Sequence, residues 1–347
     1  MNLSAEQSSL YIMDTDDFDT GTLVACVILG LSFLVGVPGN LLVIWTILKH
    51  VKQRSHTIVL ILHLAAADLL VVVTLPLWIY SLARSWVFGE ASCKAMVYTV
   101  SVCMFSSIFF ITLMSVARFL SIYYPFKMMH WKTKSAMNIS PAVLWLLALL
   151  LGVPSAVTQT LNDIDGTEQC FSKEFSSVIQ AILFLCLEIL GGFVIPLIIL
   201  IICYCLVAAK LQKMTFNSKQ KSMFLVHTVV IVFSLCWLPY HIINIIDFVC
   251  VLGSGTDHNC VPQSIVFSSG ALVFISSSVN PVLYCFFASN FKKSLNESRL
   301  VRLFQEVASQ TIKLRELVIQ QQSGQRAADA QEELVCPRYK GIPEIVI

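Results

Sequence analysis

The sequence predicts an all-α membrane protein, a seven-transmembrane helix bundle with a cytosolic amphipathic eighth helix, and three observations carry that prediction. Of its 347 residues 56% are hydrophobic and only 13% charged, far more apolar than the average usage of a soluble domain. Seven stretches are long enough to cross a hydrocarbon layer of about 30 Å, which takes roughly 20 apolar residues in a helix. The remaining charges are sorted between alternate loops.

The apolar runs cover 22 to 48, 57 to 83, 91 to 123, 137 to 160, 176 to 209, 222 to 252 and 262 to 287. Their length and continuity favour helices over a membrane barrel, whose strands are about 10 residues of strict alternation, and a helix satisfies its own backbone within the run. Residues 1 to 21 precede them as an acidic tail, including Tyr11 to Asp19, predicted to be disordered and extracellular. Asn2-Leu3-Ser4 in that tail matches a glycosylation acceptor. No cleavable signal peptide is evident, and the first run is expected to act as the uncleaved signal.

The loop after run one carries Lys49, Lys52 and Arg54, the loop after run three Lys127, Lys132 and Lys134, and the loop after run five Lys210, Lys213, Lys219 and Lys221, without an acid among them. The alternate loops hold Arg84, Lys94 and Lys173 alongside Glu90, Asp163, Asp165, Glu168 and Glu174. The positive-inside rule then puts the N-terminus outside and the C-terminus in the cytosol. Beyond run seven, 288 to 321 alternates apolar and basic positions such as Phe291, Lys292, Leu295, Arg299 and Leu303, as expected of an amphipathic helix on the inner leaflet. Residues 322 to 347 are read as a disordered cytosolic tail.

Each run carries a polar residue or helix breaker: Pro38-Gly39-Asn40 in the first, Asp68 in the second, Ala117-Arg118-Phe119 in the third, and Trp145 with Pro154 in the fourth. Pro196 and Tyr204 follow in the fifth, Cys236-Trp237-Leu238-Pro239 in the sixth and Asn280-Pro281-Val282-Leu283-Tyr284 in the seventh. An ionised group within a membrane helix is costly and marks function by default, which singles out Asp68 and Arg118. Pro239 and Pro281 each remove a backbone hydrogen bond and bend their helix.

Most of the 12 cysteines fall inside the runs and read as small apolar residues. Four sit at the outer face, where an oxidising compartment lets Cys93 pair with Cys170 and Cys250 with Cys260. Zinc is the rival reading, but the spacings match no zinc motif. An enzyme is disfavoured because no Ser/His/Asp or paired-aspartate arrangement lies at membrane depth. A transporter would show two related halves with broken helices in matching places, and there is no internal repeat.

The seven motifs in this order resemble the rhodopsin-like (class A) family of G-protein-coupled receptors, over about residues 22 to 300. That resemblance implies a plasma-membrane receptor that binds an extracellular ligand, couples to a heterotrimeric G protein of the inhibitory (Gi) type and engages arrestin, with membrane lipids around it and no nucleic acid. It implies no enzymatic cofactor, but a sodium site in which Asp68, Ser107, Ser276 and Asn280 hold Na+. It also implies an activation switch in which Phe233 and Trp237 repack as the sixth helix moves about Pro239, Pro281 bends the seventh, and Tyr204 and Tyr284 approach Arg118.

Thr74-Leu75-Pro76 and Trp86-Val87-Phe88-Gly89 resemble the chemoattractant branch, and the stretches 237 to 244 and 276 to 284, with Glu188 eight residues before Pro196, resemble its leukotriene receptors. The ligand implied is a hydroxylated lipid mediator such as leukotriene B4, with a chemotactic peptide as the alternative. Gln159, Glu188, Tyr240, His241 and Asn244 are the expected polar contacts. The upper-helix positions where basic residues are expected read Val97, Gln159 and Val266, so Arg84, Lys94, Lys173 or a protonated His241 must meet the carboxylate. A second departure is Ala117, where the family usually has an acid before the arginine.

Overall fold

The computed structural model describes residues 3–51, 55–124, 134–164, 167–212, 220–254 and 261–289, together with the isolated positions 301, 305 and 320. Seven helical spans follow in the expected order. The first is Leu3–His50, the second is His56–Val72 continued by Leu75–Ala83, the third is Glu90–Tyr123 and the fourth is Lys134–Thr158. The fifth is Val178–Cys186, a π-helical stretch Leu187–Val194 and Ile195–Gln212; the sixth is Gln220–Ser254 and the seventh Gln263–Ser289. Among the described residues, six spans contain a window long and apolar enough to cross a membrane, and the sixth carries a shorter apolar stretch, Ser234–Cys250.

Polarity is sorted as a hydrocarbon solvent requires. Asn40, Asp68, Ser106 and Ser277 are buried, whereas Leu34, Leu150, Ile179 and Leu183 are each more than half exposed. In water this would be an aggregating surface; in lipid the apolar face is the solvated one. The third span lies centrally, packed against the second, fourth and fifth. Its Ile108, Phe110, Ile111 and Met114 join Leu64, Phe193, Trp237 and Val273 in the main core.

Close approaches rest on small residues. A Cβ built on Gly39 of the first span would stand 2.7 Å from Pro281 Cβ of the seventh, and one on Gly152 of the fourth 2.7 Å from Val102 Cγ2 of the third. The first and seventh spans are also stitched by polar bonds. Asn40 Nδ2 donates to the carbonyls of Gly36 and Ser277, both at 3.0 Å, and the Ser278 hydroxyl donates to the Ser32 carbonyl at 2.8 Å.

Between the fourth and fifth spans the chain forms an antiparallel hairpin, β1 Gln159–Ile164 and β2 Thr167–Lys173, with Gln159 opposite Lys173. The disulfide Cys93–Cys170 fastens β2 to the start of the third span. Trp86, fully buried beneath it, donates through Nε1 to the Gly89 carbonyl at 2.8 Å, while its backbone N–H donates to Glu168 O at 2.7 Å. Gly89 takes a φ of +78°, the left-handed conformation glycine adopts without steric cost.

Two expectations need correction. The first helix begins at Leu3, so the tail read as disordered over 1 to 21 is helical from its third residue; no proline or glycine interrupts it before Gly21, leaving nothing to stop a helix once the apolar run nucleates one. The fourth span ends at Thr158 rather than 160, because Gln159 is recruited as the first residue of β1. Asn2, Cys260, the tail 322 to 347 and all of 288 to 321 except 288, 289, 301, 305 and 320 lie outside the described residues, although Cys250 is disulfide-bonded.

Candidate functional site

Three polar constellations sit at three depths of the bundle. At the hairpin end, Glu188 lies in the π-helical stretch of the fifth span and reaches the sixth. The Tyr240 hydroxyl donates to Glu188 Oε1 at 2.5 Å. Lys173, the last residue of β2, holds Nζ 3.6 Å from Glu188 Oε2 and 4.5 Å from the Phe184 ring centroid. One carboxylate thus joins the hairpin to the fifth and sixth spans.

One position beyond Tyr240, His241 is stacked between two rings. Phe193 lies 4.5 Å away at 24° and Trp237 5.6 Å away at 18°, with Tyr240 edge-on at 5.3 Å. Both imidazole nitrogens of His241 are buried and have no hydrogen-bond partner among the described residues, while Asn244, less than one turn further on, hydrogen-bonds Tyr240. Leaving such groups unsatisfied costs about 1–3 kcal/mol each, so they call for a water or a ligand group as partner. A neutral imidazole offers one donor and one acceptor, and a hydroxyl group satisfies both kinds.

The other expected contacts are arranged differently. Gln159 is buried at the foot of the hairpin, with Nε2 donating to Thr160 O at 3.5 Å. Arg84 is the exposed residue that closes the second span. Lys94 pairs with Glu90 at 2.6 Å, one turn away on the rim of the third span. Neither basic residue reaches the Glu188 cluster through a described contact, whereas Lys173 does.

At mid-depth, Asp68 is 1% exposed. It accepts from the Ser107 hydroxyl at 3.1 Å and from Asn280 Nδ2 at 2.7 Å, and it also hydrogen-bonds Ser277. Ser276, the serine expected there, donates instead to the Val273 carbonyl of its own helix at 2.7 Å. A carboxylate beside hydroxyl oxygens is a donor set that suits a hard cation, and Asp68 and Ser107 are the residues that would hold Na+ there.

At the opposite end, Arg118 is half-buried behind the buried Ala117, whose carbonyl accepts from the Ser121 hydroxyl at 2.7 Å. One turn on, the Tyr123 hydroxyl donates to Leu206 O of the fifth span at 2.9 Å. Tyr204 is 40% exposed on that span. Trp237 and Pro239 lie in the sixth helix and Pro281 in the seventh, while the side chains of Phe233 and Tyr284 are outside the described residues.

Sequence reasoning did not find Phe193 or Ser277. The adjacent Gly191-Gly192 pair, unusual inside a helix, is the one sequence hint to Phe193. A Cβ on Gly192 would stand 3.2 Å from the Phe105 ring, so the glycine lets the third span close on this stretch.

The sequence matches the family described as "7 transmembrane receptor (rhodopsin family)" over residues 39–284. Leukotriene B4 receptor 1 of Bos taurus is 31% identical over 299 residues, covering 84% of this chain and 85% of that protein. Leukotriene B4 receptor 1 of Homo sapiens is 31% identical over 294 residues, 83% of this chain and 84% of that protein. The apelin receptor of Xenopus tropicalis is 32% identical over 338 residues, 88% of this chain and 92% of that protein. Such proteins are receptors and not enzymes. Seven helical spans in the expected order and a family match from residue 39 to 284 lead to one conclusion: the chain belongs to the rhodopsin family of seven-transmembrane, G-protein-coupled receptors.

Proposed function

We propose that this receptor responds to a hydroxylated lipid mediator such as leukotriene B4. The observation that supports this reading is the buried His241, whose two ring nitrogens have no hydrogen-bond partner among the described residues, within an aromatic wall of Phe193, Trp237 and Tyr240. An apolar lining with a few unsatisfied polar groups is what an acyl chain bearing hydroxyls requires. The leukotriene B4 receptors among the relatives favour the same ligand class.

In this reading the N-terminus and the hairpin face outward at the cell surface and the C-terminus faces the cytosol, consistent with the basic loops. Agonist contact at His241 is passed to Trp237 by their stacking, the sixth helix moves about Pro239, and the Arg118 end opens to a G protein of the inhibitory type and afterwards to arrestin. Asp68 and Ser107 would hold Na+, whose charge would offset the buried carboxylate, and Asn280 orients Asp68 through its amide N–H. Chemotaxis is the expected cellular response.

A peptide ligand is the second reading, favoured by the apelin receptors among the relatives. Both are tested on cells expressing the full chain, by displacement of radiolabelled leukotriene B4 and by G-protein activation across a panel of lipid mediators and chemotactic peptides. Saturable displacement with activation by the lipid is the expected outcome. Activation by a peptide, with no saturable lipid binding, replaces the lipid reading with the peptide one.

A further inference from the structure

An acidic lipid brings a carboxylate, and a carboxylate entering a membrane bundle needs a cation or a dense set of donors. Lys and Arg at the hairpin end are few: the loops and helix ends there contain Arg84, Lys94 and Lys173. Arg84 is exposed at the end of the second span. Lys94 is engaged by Glu90 at 2.6 Å on the rim, where the two side chains are 39% and 55% exposed. Lys173 alone of the three contacts the cluster of Glu188, Tyr240 and His241.

The geometry of Lys173 is that of a cation held in place rather than consumed. Its separation of 3.6 Å from Glu188 Oε2 is long for a charge-assisted hydrogen bond, which forms at about 2.7–2.9 Å. Glu188 Oε2 is buried and has no hydrogen-bond partner among the described residues. The other oxygen, Oε1, already accepts from the Tyr240 hydroxyl. Phe184 lies beneath the ammonium at 4.5 Å and fixes its position by a cation–π contact. With its side chain 32% exposed, Lys173 is accessible from the hairpin side. The strand register adds a second constraint: Lys173 is paired with Gln159, and β2 is anchored by Cys170 three residues earlier.

We propose that Lys173 is the specificity-determining cation of this receptor, its ammonium pairing with the ligand's carboxylate while Glu188 stays behind it as counter-ion. The inference rests on the lipid reading and sharpens it: the ligand class is a free acid, and the hairpin rather than the upper helices supplies the charge that Val97, Gln159 and Val266 do not. Glu188 keeps its bond to Tyr240 and presents a negative charge behind the ammonium.

The test compares leukotriene B4 with its methyl ester, which keeps the chain and hydroxyls and removes the charge, on wild-type receptor, Lys173→Gln and Lys173→Arg at matched surface expression. Wild type is expected to bind the acid tighter than the ester by roughly tenfold to a hundredfold, the worth of a charged hydrogen bond. Lys173→Gln is expected to bind acid and ester alike, at about the wild-type affinity for the ester, and Lys173→Arg to restore the preference. A preference for the acid that persists in Lys173→Gln overturns the inference and leaves the lipid reading standing. Wild-type receptor that binds neither compound overturns both.

Discussion

Ala117 is buried beside Arg118 and offers the guanidinium no negative charge. An aspartate there would supply one across a single peptide unit and would favour whichever arrangement keeps the arginine turned toward it. A partly exposed ion pair is worth up to about 1 kcal/mol, and that amount changes a two-state ratio about fivefold. Ala117→Asp is therefore expected to lower ligand-independent second-messenger output severalfold at equal surface expression, and identical basal output would remove the argument. The Asp68 cluster shows how far such single-residue logic reaches. A carboxylate in hydrocarbon must find partners, and the resemblance to the rhodopsin-like family named Ser107 and Asn280 among them. The same resemblance named Ser276, whereas Ser277 is the serine that bonds Asp68. Successive residues on a helix are about 100° apart, and the rotation of the seventh helix against the second is fixed by packing: Ser276 turns to Val273, Ser277 to Asp68 and Ser278 to Ser32.

The helices were legible as lengths of apolar sequence, and their irregularities were not. The second span breaks between Val72 and Leu75, where the Thr74 hydroxyl donates to the Val71 carbonyl at 2.7 Å ahead of Pro76. The fifth span widens into π geometry over Leu187–Val194, with the Ile195 N–H donating to Leu190 O. Pro196 has no N–H to give the carbonyl four residues back, and Gly191-Gly192 lowers the steric cost of the wider turn, so the hydrogen-bond ladder is reset there. Hydropathy averages across such a turn and does not register it. Gly39 is the reverse case, a visible motif whose purpose needed the structure: its Cα hydrogen faces Pro281 at a separation no side chain fits. Gly39→Val is expected to destabilise the packing of the first and seventh helices by about 1–3 kcal/mol, the usual cost of forcing extra volume into a packed contact. A lower thermal midpoint in detergent is the readout, and a midpoint equal to wild type would refute the close contact.

At the scale of the molecule, the hairpin end is organised by one covalent bond. Cys93–Cys170 closes a loop between residues 77 positions apart and holds β2 over the bundle. Losing a native disulfide typically costs about 2–5 kcal/mol, and here it also frees the strand that carries Lys173. Cys93→Ser is expected to reduce surface expression and, in the receptor that reaches the surface, ligand affinity; unchanged binding would show that the strand is held by its other contacts, such as Trp86 to Glu168. The pairing was legible because Cys93 opens the third run and Cys170 lies in the loop between the fourth and fifth, both at the outer face, but the strands themselves were not, since Gln159–Ile164 and Thr167–Lys173 have no alternating apolar pattern. The chain Lys173–Glu188–Tyr240 then has a thermodynamic meaning. A carboxylate shared by a surface strand and the sixth helix makes the energies of the two elements interdependent, and linkage is reciprocal. Whatever free energy a bound ligand uses to bias the sixth helix through Glu188 is returned in full as tighter ligand binding when a cytosolic partner biases that helix from the other end.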